Sequence, residues 1–206
     1  WSTFTSTEEI DQFCEDFHID HPIINTFDPL GKFPQNELAN ALMRGYNDYV
    51  LDNILDESEH KALIALATQE PDKAAEELDR LGDEDQFVGA YIGTTGSWVP
   101  YTMHRLNKEY SIRRSEAPLL EKSPEEYIRE SCYFASQPLG EPNDLTHMNS
   151  LIEMVGTENL MYASDYPHWD FDHPSGVDKH LRSHFSAEQR QQVLYDTPIE
   201  AFKLNI

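Results

Sequence analysis

The chain has 206 residues, enough for one domain with a sizeable core. Lys and Arg number 15 against 38 Asp and Glu, a formal charge of −23, which argues against nucleic acid or an anionic membrane as a partner. Aromatic residues make up 11% and apolar segments recur with clear periodicity, so the high charge does not signal disorder.

An acidic, lysine-poor surface of this kind suggests a cytoplasm rich in salt, as in halophiles, where carboxylates stay hydrated and their repulsion is screened. Cys14 and Cys132 are the only cysteines and form no spaced pattern. That excludes a disulfide scaffold and a cysteine zinc site, and it fits a reducing compartment. No apolar run approaches the ~20 residues of a membrane span. There is no signal peptide, but the first residue is Trp1 rather than Met, so the true N-terminus is expected upstream.

In chain order, residues 1–16 are polar, with Ile10, Phe13 and Phe17 at helical spacing and a helix start at Thr7-Glu8-Glu9. Residues 19–25 read as a short strand weakened by Pro22. Residues 36–55 predict a helix whose apolar stripe is Leu38, Leu42, Tyr46, Tyr49 and Ile54. A strand follows at 61–68, then a helix at 72–81 opened by Pro71 and closed by Gly82, then a strand at 87–93. Strands and helices alternating in units of this length predict βαβ connections and a parallel sheet. Gly93-Thr94-Thr95-Gly96-Ser97 then leads directly into a helix at 98–114. Ser123-Pro124-Glu125-Glu126 is a capping box for a helix at 124–130. A strand at 131–135 and a helix at 143–155, with Leu145, Met148, Leu151 and Ile152 on one face, lead to a strand at 160–163. Helices at 177–185, 187–194 (begun by Ser186 with Gln189 three residues on) and 198–204 complete the chain.

The strand at 160–163 is the centre of the chemistry. Its apolar run lies between Gly156 and Pro167, and immediately beyond it stand Asp165, His168, Asp170, Asp172 and His173. A carboxylate at the C-terminal tip of a buried strand is where an α/β barrel carries its working residues. Asp and His are also ligand types for zinc and similar ions. The plainer reading of Asp165 is a turn former or helix cap, that of His168 a packing histidine, and that of the later acidic residues a solvated loop.

Ser164-Asp165-Tyr166-Pro167-His168-Trp169-Asp170 resembles the amidohydrolase superfamily in its amidohydrolase-related branch. Three further segments carry the same resemblance: Ser97-Trp98-Val99-Pro100-Tyr101 with Arg105-Leu106 and Glu109-Tyr110, Ser136-Gln137-Pro138-Leu139, and Tyr195-Asp196-Thr197-Pro198 through Phe202. It runs from about Phe17 to the end, and its strength lies in the order and spacing of the segments. The branch holds metal-dependent hydrolases and non-oxidative decarboxylases, among them aminocarboxymuconate-semialdehyde and resorcylate decarboxylases. The resemblance implies a (β/α)8 barrel forming a single domain over 1–206. It implies a divalent metal, zinc in the first instance or manganese, ligated by Asp165, with Asp165 and His168 as catalytic residues. Trp98, Tyr166 and Trp169 become candidates to line a small substrate, an aromatic carboxylate or a cyclic amide or ester, with core packing as their commoner fate. The alternative is a non-catalytic barrel relative serving as a binding or structural subunit.

Five strands are predicted where such a barrel needs eight. The superfamily's early HxH strand and its two middle strands with metal-binding histidines do not occur here. Either residues are missing before Trp1 and near Gly96, or the chain is a reduced relative; the abrupt change from strand end to the Trp98 segment favours missing residues. The expected partners are the substrate and further copies of the chain, as a homodimer or higher homo-oligomer, with no nucleic acid and no membrane.

Other constellations carry less. His18 and His21 on extended chain project to opposite faces. His180 and His184 share a helix face but lack the glutamate of a zinc HExxH motif. His104 reads as a surface or packing residue, and Arg105 as a salt-bridge partner before a substrate clamp. No Gly-x-Ser-x-Gly elbow and no phosphate-loop spacing is present, which argues against a serine hydrolase and nucleotide binding.

Overall fold

The computed structural model of the protein describes residues 6–25, 33–56, 58–91, 98–137, 144–166, 181–182 and 185–205. The chain divides into two compact units, Trp1–Thr94 and Thr95–Ile206. The class is mixed α/β with parallel strand pairing in both units.

The first unit carries α1 (Thr7–Phe17), β1 (Ile23–Ile24), α2 (Asn36–Val50), a π segment (Leu51–Leu55), β2 (Lys61–Ala65), α3 (Pro71–Leu81) and β3 (Phe87–Tyr91). Its sheet has the order β1-β2-β3, and its pairing is parallel, as the βαβ pattern predicts. The register sets Ile24 opposite Ala62 and Ala65 opposite Tyr91, with an irregularity between Ala62 and Leu63. Successive residues of β2 face opposite ways. Ala62, Ile64 and Leu66 pack with Ile10, Leu81 and Phe87, while Ala65 and Ala67 pack with Ala39 and Met43 of α2.

The buried row of α2 is Ala39, Met43, Asn47 and Val50; of the predicted stripe only Ile54, in the π segment, is fully buried. Leu38 and Tyr49 are exposed, and Leu42 and Tyr46 are half-buried. Two causes act together. Small Ala39 lets the helix approach the small residues of β2 closely. Asn47 has a use in the core: its Oδ1 accepts from the Ala65 N–H at 2.8 Å, and its Nδ2 donates to the Ala65 carbonyl at 3.1 Å and to Glu77 Oε1 at 2.9 Å. Glu77 in turn accepts from Arg80, which also pairs with Asp48 at 2.8 Å. Gly82 stands just past the end of α3, as predicted, with φ −66°. Its lack of a side chain matters: a Cβ there would sit 2.7 Å from the Leu78 carbonyl oxygen.

The second unit carries α4 (Val99–Ile112), a 3-10 turn (Arg114–Glu116), α5 (Pro124–Ser131), β4 (Phe134–Ala135), α6 (Leu145–Val155), a 3-10 turn (Thr157–Asn159), β5 (Leu160–Met161), α7 (Ala187–Gln191), a π segment (Gln192–Asp196) and α8 (Thr197–Phe202). Both predicted capping boxes form. The Ser123 hydroxyl accepts from the Glu126 N–H, and the Ser186 hydroxyl from the Gln189 N–H, with each third residue's side chain returning to the cap. The strand predicted over 131–135 is shorter, because α5 runs on through Ser131. The core joins Val99 and Met103 of α4, Met148, Ile152 and Val155 of α6, Phe134, Leu160 and Val193. Leu151 of the predicted α6 face is half-buried, and the Leu145 side chain lies outside the described residues. So does the junction at Gly96-Ser97, as does most of the predicted helix over 177–185. Among the described residues no helix is long and apolar enough to cross a membrane.

Candidate functional site

The candidate site is built at the C-terminal end of β5. β5 pairs in parallel with β4, Phe134 opposite Leu160 and Ala135 opposite Met161. Its other end is anchored by Asn159, a buried residue whose Nδ2 donates to the carbonyls of Arg129 and Cys132 at 2.8 and 2.9 Å. This ties the entry to β5 to the end of α5 and the approach to β4. Asn159 Oδ1 is buried with no hydrogen-bond partner among the described residues.

Past Met161 the ladder continues in altered form. The Ser136 N–H donates to the Met161 carbonyl at 2.8 Å, and the Ala163 N–H donates to the Ser136 hydroxyl at 3.2 Å. On the opposite edge the Tyr162 N–H donates to the Val193 carbonyl at 3.1 Å. Ser136 and Val193 are both buried. The chain then turns: Asp165 adopts φ +57°, and the Tyr166 N–H donates to the Ser164 hydroxyl at 3.2 Å. Among the described residues three non-glycine residues have positive φ. His18 and Lys203 end helices, whereas Asp165 alone of these follows a strand. Asp tolerates the left-handed region better than most residues, so the turn is compatible with its type. Half-buried Asp165 therefore follows a strand of a parallel sheet whose end, at Tyr162 and Ala163, is bonded on both edges.

The other predicted residues fall as follows. Tyr166 is half-buried beside Asp165. Trp98 precedes α4, is 44% exposed, and meets Phe134 of β4 edge-on with ring centroids 6.5 Å apart. It thus lies against the strand adjacent to β5. His168, Trp169, Asp170, Asp172, His173, His180 and His184 lie outside the described residues. His104 is exposed on α4, and Arg105 pairs with Glu109 at 2.7 Å, the structural role weighed for it. Burial pushes the Cys132 thiol up, and burial followed by the Asp11 charge does the same to Cys14, so neither is an activated nucleophile. Sequence reasoning missed the roles of Asn159, of Val193 and of the Ser136 hydroxyl. Ser136 stood within a segment that carried the resemblance, but a hydroxyl's partner cannot be read from the type of residue alone.

The resemblance in sequence implies a divalent metal. A protein metal site takes about three or four ligands. Among the described residues no three His, Cys, Asp or Glu side chains come together, and the donor at the end of β5 is the single carboxylate of Asp165. The described residues thus do not by themselves make a site for the ion.

Parallel strands joined by helices define an α/β protein. The chain belongs to the amidohydrolase family, whose model matches residues 96–204. Among solved structures it is similar to 2,6-dihydroxybenzoate decarboxylase from Rhizobium, at 14% identity with a TM-score of 0.66, over 98% of this chain and 88% of that one. It is also similar to 5-carboxyvanillate decarboxylase from Sphingomonas paucimobilis, at 15% identity with a TM-score of 0.65, over 99% and 84%. A third likeness is to IDCase of Metarhizium anisopliae, at 12% identity with a TM-score of 0.63, over 98% and 80%. At these identities the likeness establishes the fold. No curated protein gives a significant match.

Proposed function

We propose that the chain serves as a hydrolase or non-oxidative carboxy-lyase of the amidohydrolase superfamily, with Asp165 as its acid–base residue. The strands would belong to a (β/α)8 barrel. The observation that carries the reading is Asp165 itself: a carboxylate in a left-handed turn at the C-terminal end of β5, within the stretch that matches the family. Support for an aromatic or hydroxylated aromatic carboxylate as substrate comes from the two structural neighbours named as decarboxylases of such acids. Cyclic amides and esters are the hydrolytic counterpart. Trp98 and Tyr166, with Trp169, are proposed to line the substrate, and His168 to assist Asp165.

In decarboxylation, protonated Asp165 would give its carboxyl proton to the ring carbon that bears the leaving carboxylate. Carbon dioxide then departs and the carbon–carbon bond pair returns to the ring. In hydrolysis, ionised Asp165 would take a proton from the attacking water and return it to the leaving nitrogen or oxygen. A divalent ion, zinc or manganese, when bound supplies Lewis acidity toward a substrate oxygen. Asp165 would be one of its ligands, with the remainder drawn from outside the described residues. The proposed location is a salt-rich cytoplasm, supported by the charge of −23. The test is turnover of 2,6-dihydroxybenzoate, 5-carboxyvanillate and simple lactones and cyclic amides by the full protein with added zinc or manganese. Release of carbon dioxide or ring opening supports the reading; inertness toward every member of both classes counts against it.

A further inference from the structure

The end of β5 is held by two contacts that ordinary strand pairing does not supply, and both depend on residues two or three positions before Asp165. In a regular parallel ladder, a residue that donates its N–H to one carbonyl accepts at its own carbonyl from the N–H two residues further on. Ser136 donates to Met161, so its carbonyl is the regular acceptor for Ala163. The bond is made by the Ser136 hydroxyl instead. The opposite edge is held by Val193, whose carbonyl is available for a reason written in the sequence. Within the π segment the Thr197 N–H donates to the Gln192 carbonyl, one residue further back than in an α-helix. The next donor in a π pattern for Val193 belongs to residue 198, which is proline and has no N–H. The Val193 carbonyl is thereby left for the Tyr162 N–H.

We infer that Ser136 and the π segment closed by Pro198 are positioning elements that hold the strand end and so set the direction of the Asp165 carboxylate. The inference rests on Asp165 as the working residue. Ser136 is 3% exposed and Val193 is fully buried, so water does not replace either bond when it is lost. A strand end held on one edge only would let the Ser164–Tyr166 turn relax out of the left-handed conformation.

The experiment uses Ser136→Ala, Ser136→Thr and Pro198→Ala in the full chain, read by amide hydrogen exchange, by the amide resonances of Asp165 and Tyr166, and by steady-state kinetics. In Ser136→Ala, protection of the Ala163 amide should fall about tenfold and the Asp165 amide resonance should move. With a substrate from the panel, kcat should fall about 10- to 100-fold with KM little changed, since misplacement of a catalytic group acts on the chemical step. Ser136→Thr, which keeps the hydroxyl, should restore protection, resonance and kcat together. Pro198→Ala supplies an N–H that competes for Val193, so protection should fall at Tyr162 while Ala163 is less affected. Unchanged exchange at Ala163 in Ser136→Ala, or lost protection with an unmoved Asp165 resonance and full kcat, overturns the inference. Full activity in Asp165→Asn would remove the functional reading instead, and it would do so whether or not the exchange results hold.

Discussion

Truncating Asn47 should destabilise the first unit more than any surface change. The side chain is fully buried in the last turn of α2 and makes two bonds to the main chain of Ala65 and one to Glu77. Asn47→Ala leaves the Ala65 N–H and carbonyl unpaired in the core and removes a donor from a buried carboxylate. At about 1 kcal/mol for each neutral bond and about 2 kcal/mol for the one to the carboxylate, the loss is about 4 kcal/mol. For a chain of this size that corresponds to a fall in Tm of about 8–16 °C. Asn47→Asp should be no better, because it keeps an acceptor for Ala65 but places a second carboxylate against Glu77. Asn53→Ala is the control: its side chain reaches only the Tyr49 carbonyl from an exposed position, and its loss should be close to neutral. The assay is urea unfolding followed by circular dichroism, with the midpoint compared at constant slope. A loss below about 1 kcal/mol in Asn47→Ala would refute the clamp between α2 and β2.

The same cluster makes stability depend on pH. Burial raises the Glu77 carboxyl, but hydrogen bonds from Arg80 and Asn47 and the charges of Arg80 and Arg44 outweigh it, and the net direction is below the ordinary value of 4.5. A carboxyl lowered in the folded state contributes stability that is present above its unfolded pKa and lost as pH falls through its folded one. Glu77→Gln should therefore lose less stability than the parent chain between about pH 5 and about pH 3, as measured by urea unfolding at each pH; equal losses would count against it. Gly156, between α6 and β5, has φ +90°, and an added Cβ would meet the Glu158 carboxylate. The Glu158 side chain can move aside, so the cost of Gly156→Ala is set by the backbone and should be about 1–2 kcal/mol in the same assay.

Local signals in the sequence were legible, and tertiary ones were not. Ser123 with Glu126 and Ser186 with Gln189 announce helix starts because the capping bonds lie within four residues of chain. The parallel pairing of β1, β2 and β3 followed from alternation of strands and helices. The face of α2 was misjudged because hydropathy weights Leu38 and Tyr49 above Ala39 and Asn47. Close approach to β2 and the pairing of Ala65 decide the matter, and neither is a property of the helix alone. The strand before Ser136 is shorter than its apolar residues suggest because the Pro124-started helix continues through Ser131. At the candidate site the place of Asp165 after an apolar run was legible, whereas its left-handed backbone was not. The π segment depends on a shifted hydrogen bond that hydropathy does not report; Pro198 was visible, but its effect on Val193 needs the structure.

The most direct measurement is turnover by Asp165→Asn on whichever carboxylate or cyclic substrate the full protein accepts, with melting recorded alongside. Asn occupies the left-handed region as readily as Asp and is nearly the same size, so the fold should hold and Tm should change little. Loss of the proton-transfer group should lower kcat by about 10²–10⁴-fold. Undiminished turnover with an unchanged Tm would show that Asp165 is only a turn residue after β5 and would contradict its role as the acid–base centre.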